Sequence, residues 1–205
     1  MKKKILLITM SIIVILGLAV YINPDQFFTK LILKMAGSYV PPEYETDSTI
    51  LGVMEEHKVS FDRLFKLADY TAMRELQKQK LFTLPFIQIY DEDKRLMKAA
   101  SGSECSWALM NYFNQQDSTQ LVAYDSTMYD QMMERIIPVS IHASKDTFDY
   151  YVLAGWANFS PKFAHELFKE TNKIKQKLNG KVCISYLNMD FQQLWESEVD
   201  SLQSL

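Results

Sequence analysis

Residues 150–190 constrain the fold of this chain more than any other stretch. An apolar run leads to Trp156, Ser160 and Pro161 open a long amphipathic segment, and Asn179-Gly180 closes that segment before a second apolar run at 182–187. A strand–helix–strand unit of this kind favours parallel strands joined by a right-handed crossover. We therefore predict an α/β fold with a parallel pair of strands at its centre.

Local signals fix the ends of the central helix. Ser160 is a favourable N-cap residue, Pro161 suits the first helical position, and Gly180 suits the left-handed position after the last turn. The strand at 182–187 is apolar nearly throughout, which is typical of a strand buried on both faces.

The rest of the chain predicts further elements on either side of this unit. We predict an amphipathic helix at 60–80, a strand–turn–strand hairpin at 84–99, and a helix that begins near Gly102. The patterns that follow predict a short strand at 120–124, a helix at 126–136, a loop at 139–146 and a last helix after Asp190, which with Gln193 resembles a capping box.

The N-terminus predicts a membrane anchor. Residues 5–22 form an uncharged stretch of 18 residues, which as a helix spans about 27 Å. Lys2, Lys3 and Lys4 precede it and place the N-terminus in the cytoplasm. A cleaved signal peptide is the alternative, although the apolar run is long for one and ends in a poor cleavage site. Either prediction exports the remainder. With the anchor retained, the chain is a single-pass protein of the inner (cytoplasmic) membrane whose C-terminal domain lies in the periplasm or outside the cell.

Composition separates three regions and excludes one class of partner. We predict an anchor at 1–23, a juxtamembrane segment and linker at 24–58, and one domain at 59–205. Beyond residue 23 the chain carries 19 basic residues (22 minus the three N-terminal lysines) against 25 acidic ones. A nucleic-acid surface usually shows a basic patch, so we predict no nucleic-acid partner. No metal-binding or cofactor motif occurs, and the three histidines show no metal-ligand spacing, so no metal site or cofactor is predicted.

The motif around the central helix resembles the thioredoxin-like family, especially its membrane-tethered periplasmic members. In that family a strand ends in Trp-Ala-x-Trp/Phe, Cys-x-x-Cys begins a long helix, and the next strand ends near Asn-x-Asp. This chain has Trp156-Ala157-Asn158-Phe159, then Ser160 to Phe163, then Asn188-Met189-Asp190. Ser160 and Phe163 stand where the two cysteines would be, so the resemblance implies a redox-inactive member.

The order of the remaining parts differs from that of the family. The family continues with a cis-proline, a two-stranded hairpin and a final helix, for which the chain has no room after Asp190. A similar proline–strand–turn–strand piece occurs earlier, from Pro85. The resemblance therefore implies a circularly permuted, thioredoxin-like three-layer α/β/α sandwich with a mixed sheet, preceded by the transmembrane helix. An unpermuted α/β domain with one similar unit is the alternative.

The resemblance also implies where a ligand would bind. The family's groove between the helix start and the cis-proline holds an extended peptide, and the corresponding candidates here are Pro85, Trp156, Phe159, Ser160 and Lys162. Trp156 and Phe159 are alternatively core residues, and Ser160 is read as a capping residue, because a serine cannot perform disulfide exchange. No catalytic residue is predicted in this loop.

Cys105 and Cys183 are the only cysteines in the chain. Cys183 is predicted to be a buried, inert residue of a central strand. Cys105 at a helix start is either a packing residue or a reactive thiol, and a bridge between the two is a further alternative. The predicted function is a non-catalytic peptide- or protein-binding or assembly module. The alternatives are a single-cysteine thiol enzyme that uses Cys105 for disulfide or peroxide chemistry, and an accessory subunit of a transport or secretion system.

Overall fold

The computed structural model describes residues 44–78, 84–115, 127–143 and 147–195. All of them belong to the second of the two units into which the chain divides, residues 1–40 and 41–205. The predicted anchor at 5–22 and the predicted strand at 120–124 lie outside the described residues. Within the described ranges, no helix is long and apolar enough to span a bilayer.

Five helices and six strands make up the described domain. The helices are α1 (Asp47–Glu56), α2 (Tyr70–Lys78), α3 (Cys105–Gln115), α4 (Thr127–Met133) and α5 (Pro161–Leu178). The strands are β1 (Arg63–Leu67), β2 (Phe86–Asp91), β3 (Leu96–Ser101), β4 (Ile136–Ile141), β5 (Tyr150–Trp156) and β6 (Val182–Asn188). Short 3₁₀ turns precede α3 at Gly102–Glu104 and follow β6 at Gln193–Trp195.

The strands form one mixed sheet in the order β3-β2-β5-β6-β1-β4. Strands β5, β6 and β1 run parallel, while β2 is antiparallel to β5, β3 to β2 and β4 to β1. Every residue of β6 is buried, as its apolar sequence predicts for the centre of a sheet. The predicted mixed α/β class is confirmed, including the parallel pair β5–β6.

Helices cover both faces of this sheet. Side chains of α1, α3 and α5 pack on one face against alternate residues of β5 and β6, among them Val152, Ala154 and Ile184. Side chains of α2 and α4 pack on the other face against the intervening residues, among them Leu153 and Leu187. The alternation of side chains along each strand therefore divides the core into two layers.

The predicted helix at 60–80 is wrong in its first half. Residues 63–67 form β1, inserted between β6 and β4, and only 70–78 are helical. Leu64 packs on one face of the sheet while Phe65 and Leu67 pack on the other, so the strand shows no alternation of polar and apolar residues. Leu64 and Phe65 match a helical period only together with Phe61 and Ala68, which lie outside the strand. Asp69 marks the real start of α2, because its Oδ1 accepts a hydrogen bond of 2.7 Å from the Ala72 amide.

The predicted loop at 139–146 is also wrong in part, since 136–141 form the edge strand β4. Pro138 faces Phe65 across the ladder, next to a register shift between Leu64 and Phe65. A proline cannot donate a ladder hydrogen bond, so an edge position with a bulge is where a strand accepts it. The predicted helix before it is confirmed for the shorter range of α4, Thr127–Met133.

The predicted linker at 24–58 includes a helix of the folded domain. Thr46 caps α1 in a reciprocal capping box with Thr49. Ile50 and Met54 are buried in the same core layer as α3 and α5, and Lys66 of β1 lies 2.5 Å from Asp47 in the first turn of α1. Helix α1 therefore contributes to the domain core.

Candidate functional site

The candidate site lies at the carboxyl ends of β5 and β6, where α5 begins. In open α/β sheets, ligands commonly bind outside the carboxyl ends of parallel strands. Trp156 ends β5 and pairs with Asn188 at the end of β6, and the Met189 amide donates a 2.8 Å hydrogen bond to the Trp156 carbonyl. The loop 157–160 and the segment 189–192 therefore leave the sheet side by side.

Pro85 reaches the same end of the sheet from the neighbouring strand. Phe86, the first residue of β2, pairs with Gly155, so Pro85 comes next in the ladder beside Trp156. The Leu84–Pro85 peptide bond is cis. Pro85 itself is buried, and its carbonyl accepts hydrogen bonds from the Gly102 amide at 2.7 Å and the Cys105 thiol at 3.3 Å. These contacts connect Pro85 to the start of α3.

Trp156 belongs to the core and does not line the surface. The side chain is fully buried and meets Phe168 of α5 edge to face, with ring centroids 5.2 Å apart. Its Nε1 finds no hydrogen-bond acceptor among the described residues. Of the two alternatives that the sequence left open for Trp156, the core position is the one observed, so Trp156 cannot contact a peptide directly.

The remaining candidates lie at the surface. Phe159 and Ser160 are half-buried, Phe159 packs at the edge of the layer that contains Phe86 and Leu187, and Lys162 is exposed on the first turn of α5. Ser160 occupies the N-cap position, but its hydroxyl makes no capping hydrogen bond to α5, all of which is described. The interpretation of Ser160 as a capping hydroxyl is therefore wrong. The bounds of α5 are explained by Pro161 at its start and by the left-handed residues Asn179 and Gly180 at its end.

A buried polar network lies directly behind this surface. The Asn158 backbone amide donates to both carboxylate oxygens of Asp190, at 3.0 and 2.7 Å. The Asn158 side-chain amide donates to Glu45 Oε1 at 2.8 Å. Asn188 donates to Asp190 at 2.7 Å, and Gln192 donates to Asn188 at 2.9 Å. The pKa of the Asp190 carboxyl is raised to about 6, mainly by burial and to a smaller extent by the nearby Glu45 charge, while the donated hydrogen bonds oppose the shift.

Local sequence patterns do not predict this network, because its members come from 45, 158 and 188–192. Those patterns predict Asp190 as a helix cap. Instead Asp190 holds the loop 157–160 against β6, and Glu45 joins the same loop to the segment before α1. A short parallel bridge between Glu45 and Gln192 completes the attachment.

Neither cysteine is placed for thiol chemistry. Cys105 and Cys183 are both free and buried, and they belong to different core layers on opposite faces of the sheet. The bridge that the sequence left open is therefore not formed. Burial raises the pKa of the Cys105 thiol to about 12, and burial likewise raises the pKa of Cys183.

We expect Cys105 to react slowly with thiol reagents. The thiolate is the nucleophile, and a buried thiol with a raised pKa forms little of it near neutral pH. In a DTNB titration of the folded chain at pH 7.5, the modification rate should be at least about a hundredfold below that of the urea-unfolded chain, where both thiols have a pKa of about 8.5. A thiol that reacts in the folded state as fast as in urea would contradict the buried position.

Among the residues that the structure describes, no group of three or more His, Cys, Asp or Glu side chains is placed to hold a metal ion.

A cavity of about 390 Å³ lies at the opposite end of the sheet, lined by Glu92, Asp93, Thr147, Phe148 and Asp149. It includes none of the candidate residues, so it is separate from the site described above.

Comparison with known proteins finds no matching family, no matching curated protein and no matching solved structure.

Proposed function

We propose that this chain is a membrane-anchored, exported binding or assembly module on a thioredoxin-like scaffold without catalytic cysteines. Residues 5–22 would anchor it in the inner membrane, and residues 41–205 would lie in the periplasm or outside the cell. Its ligand would be an extended peptide or a segment of a partner protein, held at the start of α5 beside the chain segment that enters β2 at Pro85.

One observation supports this site above the others: the pairing of Phe86 with Gly155. It brings the proline–strand–turn–strand piece, which precedes the central unit in sequence, against the strand that leads into α5. A permuted order of the family's parts would require this neighbour relation. The unpermuted alternative, with one similar βαβ unit and an unrelated hairpin, would not require it.

The surface composition supports binding by shape and charge. Phe159 offers a half-buried aromatic ring, and Lys162 offers an exposed cation one helical turn away. Aromatic side chains with part of their area already fixed by the fold make effective anchors for a partner, because little conformational entropy is lost on binding. The buried network behind the loop holds Asn158, and with it the loop that carries Phe159, in a defined position.

The thiol-enzyme alternative is disfavoured by the same structure. Disulfide exchange or peroxide reduction needs an accessible thiolate, and Cys105 is only 1% exposed, with its thiol directed at the Pro85 carbonyl. Ser160 and Phe163 supply no sulfur at the helix start. We therefore expect no acceleration of insulin reduction by dithiothreitol in the presence of the chain.

Peptide selection followed by a matched set of variants tests the binding proposal. Peptides would be selected from a random library against the full-length chain in nanodiscs, with empty nanodiscs as background. Replacing Phe159 with alanine should weaken a selected peptide about tenfold or more, the loss that a buried aromatic anchor commonly causes. Lys162→Glu should weaken the binding of acidic peptides more than that of other peptides.

Lys169→Glu is the matched control for the charge change. Lys169 is exposed on the same helix two turns further on, so it tests charge without altering the candidate site. Peptides that bind equally well to wild type and to the Phe159→Ala variant would place their site elsewhere. Failure to enrich any peptide over empty nanodiscs would remove the support for a peptide groove.

A further inference from the structure

Two histidines that lie 108 residues apart in sequence meet on the surface that α1 and α5 share. The Nδ1 atoms of His57 and His165 are 3.4 Å apart, and their ring centroids are 5.4 Å apart. Both side chains are exposed to solvent. Sequence spacing gave no indication of this pair, because one histidine ends α1 and the other lies in the second turn of α5.

The fold holds the two histidines in place through their neighbours. Asn172, two helical turns after His165, accepts a 2.8 Å hydrogen bond from the Ser60 amide and donates a 3.2 Å bond to the Lys58 carbonyl. Residues seven apart lie on the same face of a helix, so these bonds fix the end of α1 along the face that carries His165. The His57 ring also packs against Phe168 at 5.8 Å.

The distance between the two nitrogens matches a shared metal ion. Imidazole nitrogens bind Zn²⁺ at about 2.0–2.1 Å, so two of them 3.4 Å apart would subtend about 110° at the metal, close to the tetrahedral angle. Neutral imidazole is a good ligand for zinc, copper and nickel, and exposed rings leave the remaining positions to water. We propose that His57 and His165 form a two-histidine site for a late first-row divalent cation such as Zn²⁺.

Occupation of the site would join two parts of the domain. His57 lies at the end of the helix that follows Glu45, and His165 lies on the helix that begins at the candidate binding loop. A bound cation would therefore link α1 to the first turns of α5 on the outer surface, as the Glu45–Asn158 hydrogen bond does inside. Because a metal that binds only the folded state stabilises it, zinc should raise the midpoint of thermal unfolding.

Calorimetric titration of the untagged, full-length chain in detergent with zinc chloride tests the proposal. We expect one zinc ion per chain and a rise of a few degrees in the unfolding midpoint at saturation. His57→Gln and His165→Gln should each weaken zinc binding about tenfold or more, since each variant loses one of only two protein ligands. Both residues are exposed, so neither variant should lower the midpoint measured without zinc by more than a degree or two.

His142→Gln is the matched control. His142 is the one histidine of the chain outside the proposed site, and its Nε2 atom lies 2.9 Å from Ser140 Oγ at the end of β4. Its replacement should leave the zinc affinity unchanged. The proposal is overturned if wild type shows no saturable zinc binding, or if the two variants bind zinc as tightly as wild type and the His142 variant do. Unfolded variants would be recognised by circular dichroism, and His57→Asn would then replace His57→Gln.

Discussion

Replacing Gly155 with alanine should lower the free energy of unfolding by about 3 kcal/mol, near the upper end for an overpacked core. A Cβ atom at this position would lie 2.0 Å from Cε1 and 2.4 Å from Cδ1 of Phe86, far inside van der Waals contact. Phe86 is only 4% exposed, so its ring has no open space into which to move. Either the strand pair β2–β5 must separate or the ring must leave its rotamer.

Replacing Gly52 with alanine should have the opposite effect and raise the free energy of unfolding. A Cβ there meets nothing within 4 Å, and the residue lies inside α1 without a positive φ. Because alanine is a better helix former than glycine, the free energy of unfolding of this variant should be about 0.5–1 kcal/mol higher than that of wild type. Urea unfolding of the fragment 41–205, followed by far-UV circular dichroism, would measure both. A Gly155→Ala variant within about 0.5 kcal/mol of wild type would contradict the packing of Phe86 across Gly155, since that is the range of changes that disturb nothing.

The effect of Gly155→Ala extends to the candidate site. Phe86 follows Pro85 directly, and the ring packs in the layer to which Phe159 contributes. Displacement of the Phe86 ring would therefore disturb both sides of the proposed peptide surface at once. The absence of a side chain at Gly155 is what lets an aromatic residue lie across the strand next to the site.

The central unit could be predicted from sequence because its signals are local. Pro161 and the Asn179-Gly180 pair mark the ends of α5, and the two apolar runs beside it became β5 and β6. Asn179 (φ 37°) and Gly180 (φ 79°) adopt the left-handed conformation that the predicted end of α5 requires. None of these features depends on what the rest of the chain does.

Elements stabilised by distant partners were predicted less well. β1 derives its conformation from pairing with β6 and β4, which lie more than 65 residues away in sequence, so its short apolar run alone predicts a helix. Similarly, the sequence order placed Trp156 beside the helix start but could not show that its ring turns into the core against Phe168. Periodicity describes one segment at a time, whereas burial depends on which segments meet.

Asp190 offers the clearest case of a residue whose role depends on remote segments. Asp190 is 1% exposed, and its carboxylate accepts hydrogen bonds from the Asn158 backbone amide and the Asn188 side chain. Glu45 lies on the other side of Asn158 and adds a second carboxylate to the same buried region. Burial disfavours the charged form of Asp190 and raises its pKa to about 6, well above the value of an exposed aspartate.

The shifted pKa predicts that Asp190 makes the domain less stable as the pH rises. In the unfolded chain an aspartate titrates near pH 3.9, so between about pH 4 and 6 the folded state binds more protons than the unfolded state does. The contribution of Asp190 to the free energy of unfolding should therefore fall across this window, by about 3 kcal/mol for a shift of about two pKa units. Replacing Asp190 with asparagine removes the titration.

The difference in unfolding free energy between wild type and Asp190→Asn cancels the contributions of titrating residues that do not interact with Asp190, and Glu45 is the one neighbouring carboxylate among the described residues that does. We expect wild type to lose about 2–3 kcal/mol relative to the variant as the pH rises from 4 to 7, because only wild type must ionise a buried carboxyl. Any hydrogen bond lost in the variant adds an offset that does not change the slope. A flat difference curve for Asp190→Asn would mean that the network does not hold this carboxyl in the buried position from which the expected slope arises.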